Sequence, residues 1–174
     1  MLLRTSVILV SGALLATSAH ADGIQTAGDV GAILLPAAAA AGTAIAKDKR
    51  GLVQFAEAYA SAMTVVYILK PIVDRTRPDG GSQSFPSGHA ASAFAGAAFL
   101  QRRYGWAYGG PAYAVATFVA YSRVESKRHY TTDVIAGGAI GVAANLVFTD
   151  RYKHVLLGAD LRRGHAGPVL TIVW

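Results

Sequence analysis

The chain contains no cysteine, which excludes disulfide bonds and thiol catalysis. It is also poor in charge, because Asp, Glu, Lys and Arg make up 15% of its 174 residues, against about 25% in typical soluble domains. The formal net charge is +6, but no segment interleaves aromatic with basic residues as nucleic-acid-binding proteins do. We therefore predict that the protein does not bind nucleic acid.

Uninterrupted apolar runs of about 20 residues are absent, and so is the strict alternation that is typical of exposed strands. Instead, five stretches rich in Ala, Leu and Val follow one another, each too long for an ordinary strand. They predict helices at Val30–Ala46, Leu52–Leu69, Ala90–Leu100, Trp106–Tyr121 and Val134–Phe148. A chain of this length has room for one domain with one core. We expect an all-α fold, a single bundle of five to six helices.

The N-terminus has the three parts of an export signal. Arg4 provides the charge, Val7 to Leu15 the apolar segment, and Ala19-His20-Ala21 a small-x-small cleavage site. An uncleaved first helix is the alternative.

The tail contains two short apolar segments around a Gly-rich connector, which can form a β-hairpin. The predicted division is residues 1–21 as signal peptide or first helix, 22–153 as the helical domain and 154–174 as the C-terminal tail.

Three polar blocks carry most of the chemical information. They read Lys70-x6-Arg77-Pro78, Pro86-Ser87-Gly88-His89 and Ser122-Arg123-x5-His129-x3-Asp133. Lys70 and Arg77 end the helix before the loop and are nearly two helical turns apart, so a regular helix would place both on one face. Pro71 would disturb a helix that continues past it, but both side chains can still reach one pocket. Cations about 4 Å apart repel by roughly 4 kcal/mol at an effective dielectric of 20. Three clustered cations therefore favour a bound anion such as phosphate, whose oxygens suit the arginine fork.

The second and third blocks provide the groups that would act on that anion. Ser87 is a good N-cap for a helix beginning near Gly88, and the free N–H groups of Gly88 and His89 would donate to phosphate oxygens. Asp133 follows His129 by four residues and can accept from one imidazole nitrogen, which leaves the other nitrogen unprotonated. Thr131 or Thr132 is the expected cap of the last helix. His89, His129 and Asp133 are also possible metal ligands, but three adjacent cations would repel a divalent ion, so we predict no metal.

Taken together, the blocks resemble the signature of the type 2 phosphatidic acid phosphatase (PAP2) superfamily. That family includes bacterial class A acid phosphatases and vanadium haloperoxidases, and every motif residue is present in its order and spacing. The resemblance implies the helical-bundle fold of the family and a metal-independent phosphomonoesterase that needs no cofactor. It also implies the site residues: His129 as the nucleophile that forms a phosphohistidine, Asp133 orienting it, His89 as general acid, and Lys70, Arg77, Ser87, Gly88 and Arg123 holding the phosphate oxygens.

The distribution of charge indicates a location. If the apolar stretches cross a membrane alternately with the motif blocks outside, then Arg4, residues 47–50, Arg102-Arg103 and Arg151 with Lys153 all face the cytoplasm, as the positive-inside rule requires. We expect an inner-membrane enzyme with a periplasmic site, in contact with membrane lipids.

Candidate substrates are phosphatidate, phosphatidylglycerol phosphate, an isoprenyl pyrophosphate and lipid A. A soluble periplasmic acid phosphatase acting on small phosphomonoesters, a vanadium haloperoxidase and an inactive membrane scaffold are the alternatives. The sequence carries no prediction of oligomeric state.

Overall fold

The computed structural model describes residues 2–152, 154–160 and 167–173, with side chains described for residues 23–152. Five helices are followed by two strands. Their bounds are α1 (Leu2–Ile45), α2 (Lys49–Val73), α3 (Gly88–Tyr104), α4 (Trp106–Glu125), α5 (Thr131–Phe148), β1 (His154–Asp160) and β2 (Gly167–Val173). Each of the five predicted apolar stretches forms a helix, so the predicted helical bundle is confirmed.

Helix α3 lies at the centre of the bundle and packs against the other four helices. Ten of its 17 residues are buried, and six of those ten are alanine. Small residues also line the facing side of α5, where a side chain at Gly137 or Gly141 would clash with the α3 backbone. Such residues let two helix backbones approach closely. As a result, the N-terminal ends of α3 and α5 lie side by side, and the second motif block meets the third.

The end of α2 differs from the sequence prediction. The helix continues past Pro71 to Val73 and ends at Asp74, whose φ of 40° is left-handed and whose N–H donates to the carbonyl of Lys70. Arg77 therefore lies in the following loop, so the prediction that it belongs to the helix of Lys70 is wrong, although both side chains line one cavity as expected. The loop folds back on itself through a bond from the Ser84 N–H to the Arg75 carbonyl.

The two helix starts near the motif blocks have different caps. Ser87 is the N-cap of α3, as predicted, and its Oγ accepts from the Ala90 N–H at 3.4 Å. The N-cap of α5 is Tyr130 rather than Thr131 or Thr132, so that prediction is wrong. Asp133 lies in the first turn as expected, and its carboxylate accepts from the Tyr130 N–H at 3.0 Å. A carboxylate three residues after the cap satisfies an N–H that no helical carbonyl can reach.

The opposite end of the bundle has charges of its own. Arg103, which is 5% exposed, forms an ion pair of 2.7 Å with the nearly buried Asp48, and at the surface Arg50 pairs with Asp150 at 2.7 Å. Arg103 is 15 residues from Gly88 along α3, a distance of about 22 Å in a helix. The basic clusters outside the motifs and the motif cations therefore occupy opposite ends of the bundle.

Within residues 23–152, three helical segments are long and apolar enough to cross a membrane, namely Gly23–Ile45, Lys49–Val73 and Thr131–Phe148. Large apolar side chains cover their outer faces, since Ile33, Ile72 and Val147 are each more than two-thirds exposed. Exposure of such an apolar surface to water would cost free energy, whereas contact with the hydrocarbon of a bilayer would not.

The predicted C-terminal hairpin is present. Strands β1 and β2 pair antiparallel, with His154 opposite Val173 and Asp160 opposite Gly167. Residues 161–166 between them, and residue 174, lie outside the described part of the chain. The predicted signal peptide, residues 1–21, belongs to the segment for which side chains are not described, and its cleavage remains a prediction.

Candidate active site

One cavity of about 390 Å³ brings the three motif blocks together. Six of the eight predicted site residues line it: Lys70, Arg77, Gly88, His89, Arg123 and His129. The other two, Ser87 and Asp133, are fully buried and are not part of its wall. A larger cavity of about 680 Å³ lies at the opposite end of the bundle and contains no motif residue.

The carboxylate of Asp133 connects the segments that form this cavity. Its side chain is 0% exposed, and Oδ1 accepts from Arg75 Nη1 at 2.9 Å. Oδ2 accepts from the Ser84 hydroxyl and from the Tyr130 N–H, while the backbone carbonyl accepts from the Ser87 N–H at 2.9 Å. A buried carboxylate is tolerated only when it is paired and its lone pairs are satisfied. Asp133 meets both conditions and thereby fixes the relative positions of all three blocks.

His129 is oriented through Ser84 rather than by Asp133 directly. Its Nδ1 lies 3.9 Å from Asp133 Oδ2, beyond hydrogen-bond distance, but 2.7 Å from the carbonyl oxygen of Ser84. A carbonyl can only accept, so Nδ1 carries the proton and Nε2 has a free lone pair. The predicted tautomer is therefore reached by a different contact, in which Ser84 bonds both residues.

Burial also keeps His129 uncharged. Removal from water, together with the positive charges of Arg77 and Lys70, lowers the pKa of His129 to about 4, against the opposing effects of the Ser84 carbonyl and the Asp133 carboxylate. At neutral pH the imidazole is consequently in its neutral form. A neutral, oriented imidazole in a cationic cavity is suited to attack an electrophile that arrives as an anion.

The two cations of the first block have no carboxylate partner in the described part of the chain. Lys70 donates from Nζ to the Gln83 carbonyl at 2.8 Å, and Arg77 Nε is buried without a hydrogen-bond partner among the described residues. Asp79, a conceivable partner, pairs with Arg128 at 3.0 Å. Leaving a buried donor unpaired costs about 1–3 kcal/mol. A bound anion at this position would remove that cost.

The third cation is paired with a residue that sequence reasoning missed. Arg123 is 2% exposed, and its Nη1 lies 2.6 Å from Oδ1 of Asp29 in α1. Its other nitrogens donate to the Gln25 carbonyl and to the Ser122 hydroxyl. Asp29 Oδ1 also lies 2.9 Å from His89 Nε2. The available signal was a lone carboxylate at the start of an apolar segment, where an ionisable group is expensive.

Two more residues of the site have no sequence signal of their own. Arg75 pairs with Asp133 and lies over the Tyr130 ring at 4.0 Å from its centroid, a cation–π contact. Ser84 acts as the bridge described above. Both lie in the loop between Val73 and Gly88, where only the three-dimensional course of the chain shows which residue faces the carboxylate.

The remaining predicted ligands differ in how closely they approach the cavity. Gly88 begins α3 at the cavity wall, where a helix N-terminus presents unpaired N–H groups to an anion. The Ser87 hydroxyl is used as the helix cap, and its contact with phosphate remains a prediction. Among residues 23–152, no group of three or more His, Asp or Glu side chains is arranged to hold a metal ion. Independence from metal likewise remains a prediction.

Comparisons with known proteins agree with this geometry. A family model described as the PAP2 superfamily matches residues 51–154. A lipid A 4'-phosphatase of Helicobacter pylori is 34% identical over 119 residues, which cover 62% of this chain and 60% of that protein. A lipid A 1-phosphatase of Porphyromonas gingivalis is 44% identical over 73 residues, 39% of this chain and 16% of that protein. The chain thus spans less than two-thirds of either relative.

Solved structures resemble the fold. The crystal structure of Aquifex aeolicus LpxE superposes with a TM-score of 0.65 at 20% identity, covering 73% of this chain and 83% of the other. A transmembrane PAP2 type phosphatidylglycerolphosphate phosphatase from Bacillus subtilis gives a TM-score of 0.61 at 22% identity, covering 80% and 84%. At these identities the likeness concerns the fold.

The titration of His129 is testable without any assay of activity. In a histidine-labelled sample, the His129 resonance should titrate near pH 4 rather than near 6.5, because burial disfavours the imidazolium. Arg77→Gln removes a nearby positive charge and should move the pKa upward. The resonance is assigned by its loss in His129→Gln. A His129 midpoint above pH 6 in the unaltered protein would contradict the buried, neutral imidazole.

Proposed function

The chain belongs to the PAP2 superfamily, and we propose that it hydrolyses the phosphomonoester of a membrane lipid without a metal ion, through a phosphohistidine. Its three apolar helices and its relatives support a membrane protein. The proteins it resembles bear names that specify lipid A and phosphatidylglycerol phosphate as substrates. A lipid with a phosphomonoester headgroup is the substrate class that they share.

The observation that carries this proposal is the two-part lining of the cavity. Cations and histidines form one part, while Ile33 and Pro36 of α1 face Met63 and Tyr67 of α2 in the other. Ile33 and Tyr67 are 69% and 65% exposed on the outer surface of helices that can cross a membrane. The cavity therefore joins an anion site to an apolar cleft that opens toward the bilayer. A small soluble phosphomonoester would have no use for that cleft, whereas an acyl chain would fill it.

The first chemical step follows from the state of His129. Nε2 attacks phosphorus and forms the N–P bond while the P–O bond to the lipid breaks, and His89 gives its proton to the departing oxygen. Lys70, Arg77 and Arg123 hold the equatorial oxygens, whose charge is spread over all three in the transition state. Preorganised cations stabilise that charge without further reorganisation.

The second step regenerates the site. A water molecule attacks the phosphohistidine and loses a proton to His89, the N–P bond breaks, and inorganic phosphate leaves. His129 recovers its lone pair with the Nδ1 proton still donated to the Ser84 carbonyl. Asp133 orients His129 through Ser84 and offsets the positive charge that the imidazole acquires while phosphorylated.

The proposed orientation places the cavity on the periplasmic side of the inner membrane. The opposite end contains Lys47, Lys49, Arg50, Arg102 and Arg151, whereas the basic residues at the cavity end, Lys127 apart, line the cavity or pair with Asp133. Basic residues that flank membrane helices outside such a site mark the cytoplasmic side. The ends of α1 to α5 alternate accordingly, since each helix runs back along its predecessor.

Phosphate release from paired substrates tests the function. With the substrate monomeric in water, the detergent-solubilised protein should release phosphate from a short-chain lipid phosphomonoester at a kcat/KM at least about tenfold above that for a soluble alkyl phosphate, because burial of even two methylene groups is worth more than 1.4 kcal/mol. Activity should survive EDTA. His129→Ala should lower kcat on the order of 10⁴-fold, and the exposed-loop variant Lys127→Ala should not. Activity that EDTA abolishes and zinc restores would refute the mechanism.

Reporter fusions test the orientation. Fusions after Ala46 and after Gln101 should report cytoplasm, and fusions near Gly81 and Lys127 should report periplasm, because consecutive helices alternate in direction. All four fusions in the periplasm would instead establish a soluble periplasmic phosphatase.

A further inference from the structure

Asp29 lines the cavity of the proposed active site although it belongs to none of the motif blocks. One of its oxygens, Oδ1, is 2.9 Å from His89 Nε2 and 2.6 Å from Arg123 Nη1. All three side chains line the cavity. A carboxylate is unexpected in a cavity that binds phosphate, since the two anions repel at close range. Its presence therefore requires a function that outweighs this cost.

The packing of α1 shows that the position of Asp29 is built into the fold. The neighbouring Gly28 packs so closely on α4 that a side chain there would overlap Ser122 and the Arg123 guanidinium. Gly31, one turn later, has the same close contact with Val119. The Gln25 carbonyl then accepts from Arg123 Nη2. Helix α1 is thus held against α4 on both sides of Asp29, and the carboxylate has little freedom to leave.

We infer that Asp29 is a positioning residue for the proton donor His89, an inference that rests on the proposed phosphatase function. With Nε2–H donated to Asp29, the ring is fixed and Nδ1 is the nitrogen left to serve the substrate. In the doubly protonated ring, Nδ1–H passes its proton to the leaving oxygen, and the neutral ring that remains keeps its Nε2–H on Asp29. In the second step Nδ1 takes a proton from the attacking water. Protons balance over the cycle, and none is transferred to Asp29.

The charges around His89 explain why such a partner is needed. Lys70 from α2, Arg77 from the loop and Arg123 from α4 all carry fixed positive charge at the cavity, and His129 beside them is neutral. These cations serve the phosphate, but they add to burial, the largest cause, in lowering the pKa of His89. The Asp29 carboxylate opposes them at hydrogen-bond distance, in the manner in which a buried aspartate supports the histidine of a hydrolase triad.

The test compares leaving groups in Asp29→Asn. An alkyl phosphate needs a proton on its departing oxygen, whereas p-nitrophenyl phosphate departs as a stable anion. We expect kcat/KM, which reports the steps up to the phosphoenzyme, to fall about 100-fold for the alkyl ester and less than about threefold for the aryl ester. Asp29→Glu should restore part of the alkyl activity. Asp74→Asn, an exposed aspartate at the end of α2, is the matched control and should change neither value.

The possible outcomes separate the two claims. If the unaltered protein releases phosphate from neither ester, the proposed function fails and this inference fails with it. If both esters are hydrolysed but Asp29→Asn lowers both rates equally, Asp29 is merely structural and only this inference is overturned. Tighter inhibition by vanadate in Asp29→Asn, with undiminished alkyl turnover, would mean that the carboxylate occupies the anion site instead, and would overturn it as well.

Discussion

The buried carboxylate of Asp133 is the interaction on which the site depends. It accepts hydrogen bonds from the loop after α2 and from the start of α5. The backbone carbonyl of Asp133 accepts from the N–H of Ser87, at the start of α3. Glycines in α5 allow this meeting, because a side chain at Gly137 would clash with the Ser87 carbonyl. Close packing and one satisfied charge thus convert three separate sequence blocks into one cavity wall. Removing the carboxylate would leave Arg75 and Ser84 without their shared acceptor.

Buried positive charge is paired with a carboxylate at one end of the bundle and lacks such a partner in the first motif block at the other. Arg103 is neutralised by Asp48 and bonded on all sides, as a structural arginine should be. Arg77 instead has a buried nitrogen without a partner among the described residues, and Lys70 has only a carbonyl. Unbalanced charge of this kind lowers stability unless a ligand completes it. Positive charge is therefore balanced at the Arg103 end of the bundle and unbalanced at the cavity end. Unbalanced positive charge is what an anion-binding site requires.

Much of the fold follows from sequence because helical apolar stretches and end signals are local. The five helices and the Ser87 cap were predictable from pattern alone. The end of α2 was not, since a proline near a helix end can be accommodated for one more turn. The cap of α5 was missed because the Asp133 carboxylate accepts from the Tyr130 N–H, while the Thr132 hydroxyl accepts from Arg75.

The active-site residues divide in the same way. Spacing and residue type pointed to the candidate cations and to both histidines, because the proposed phosphate chemistry requires such groups. The contacts that orient these groups were not predictable. Asp29 comes from a helix 60 residues before His89, and Ser84 bonds His129 through a backbone carbonyl, which every residue possesses. Only the folded chain shows which carbonyl and which carboxylate arrive at the site.

The central claim is that His129 itself receives the phosphoryl group. Rapid quenching during turnover of a ³²P-labelled substrate, followed by peptide mapping, tests it directly. A phosphoramidate is labile in acid and stable in alkali, so the label should show that behaviour and map to the peptide containing His129. A label that survives acid and maps to Ser87 would contradict the claim.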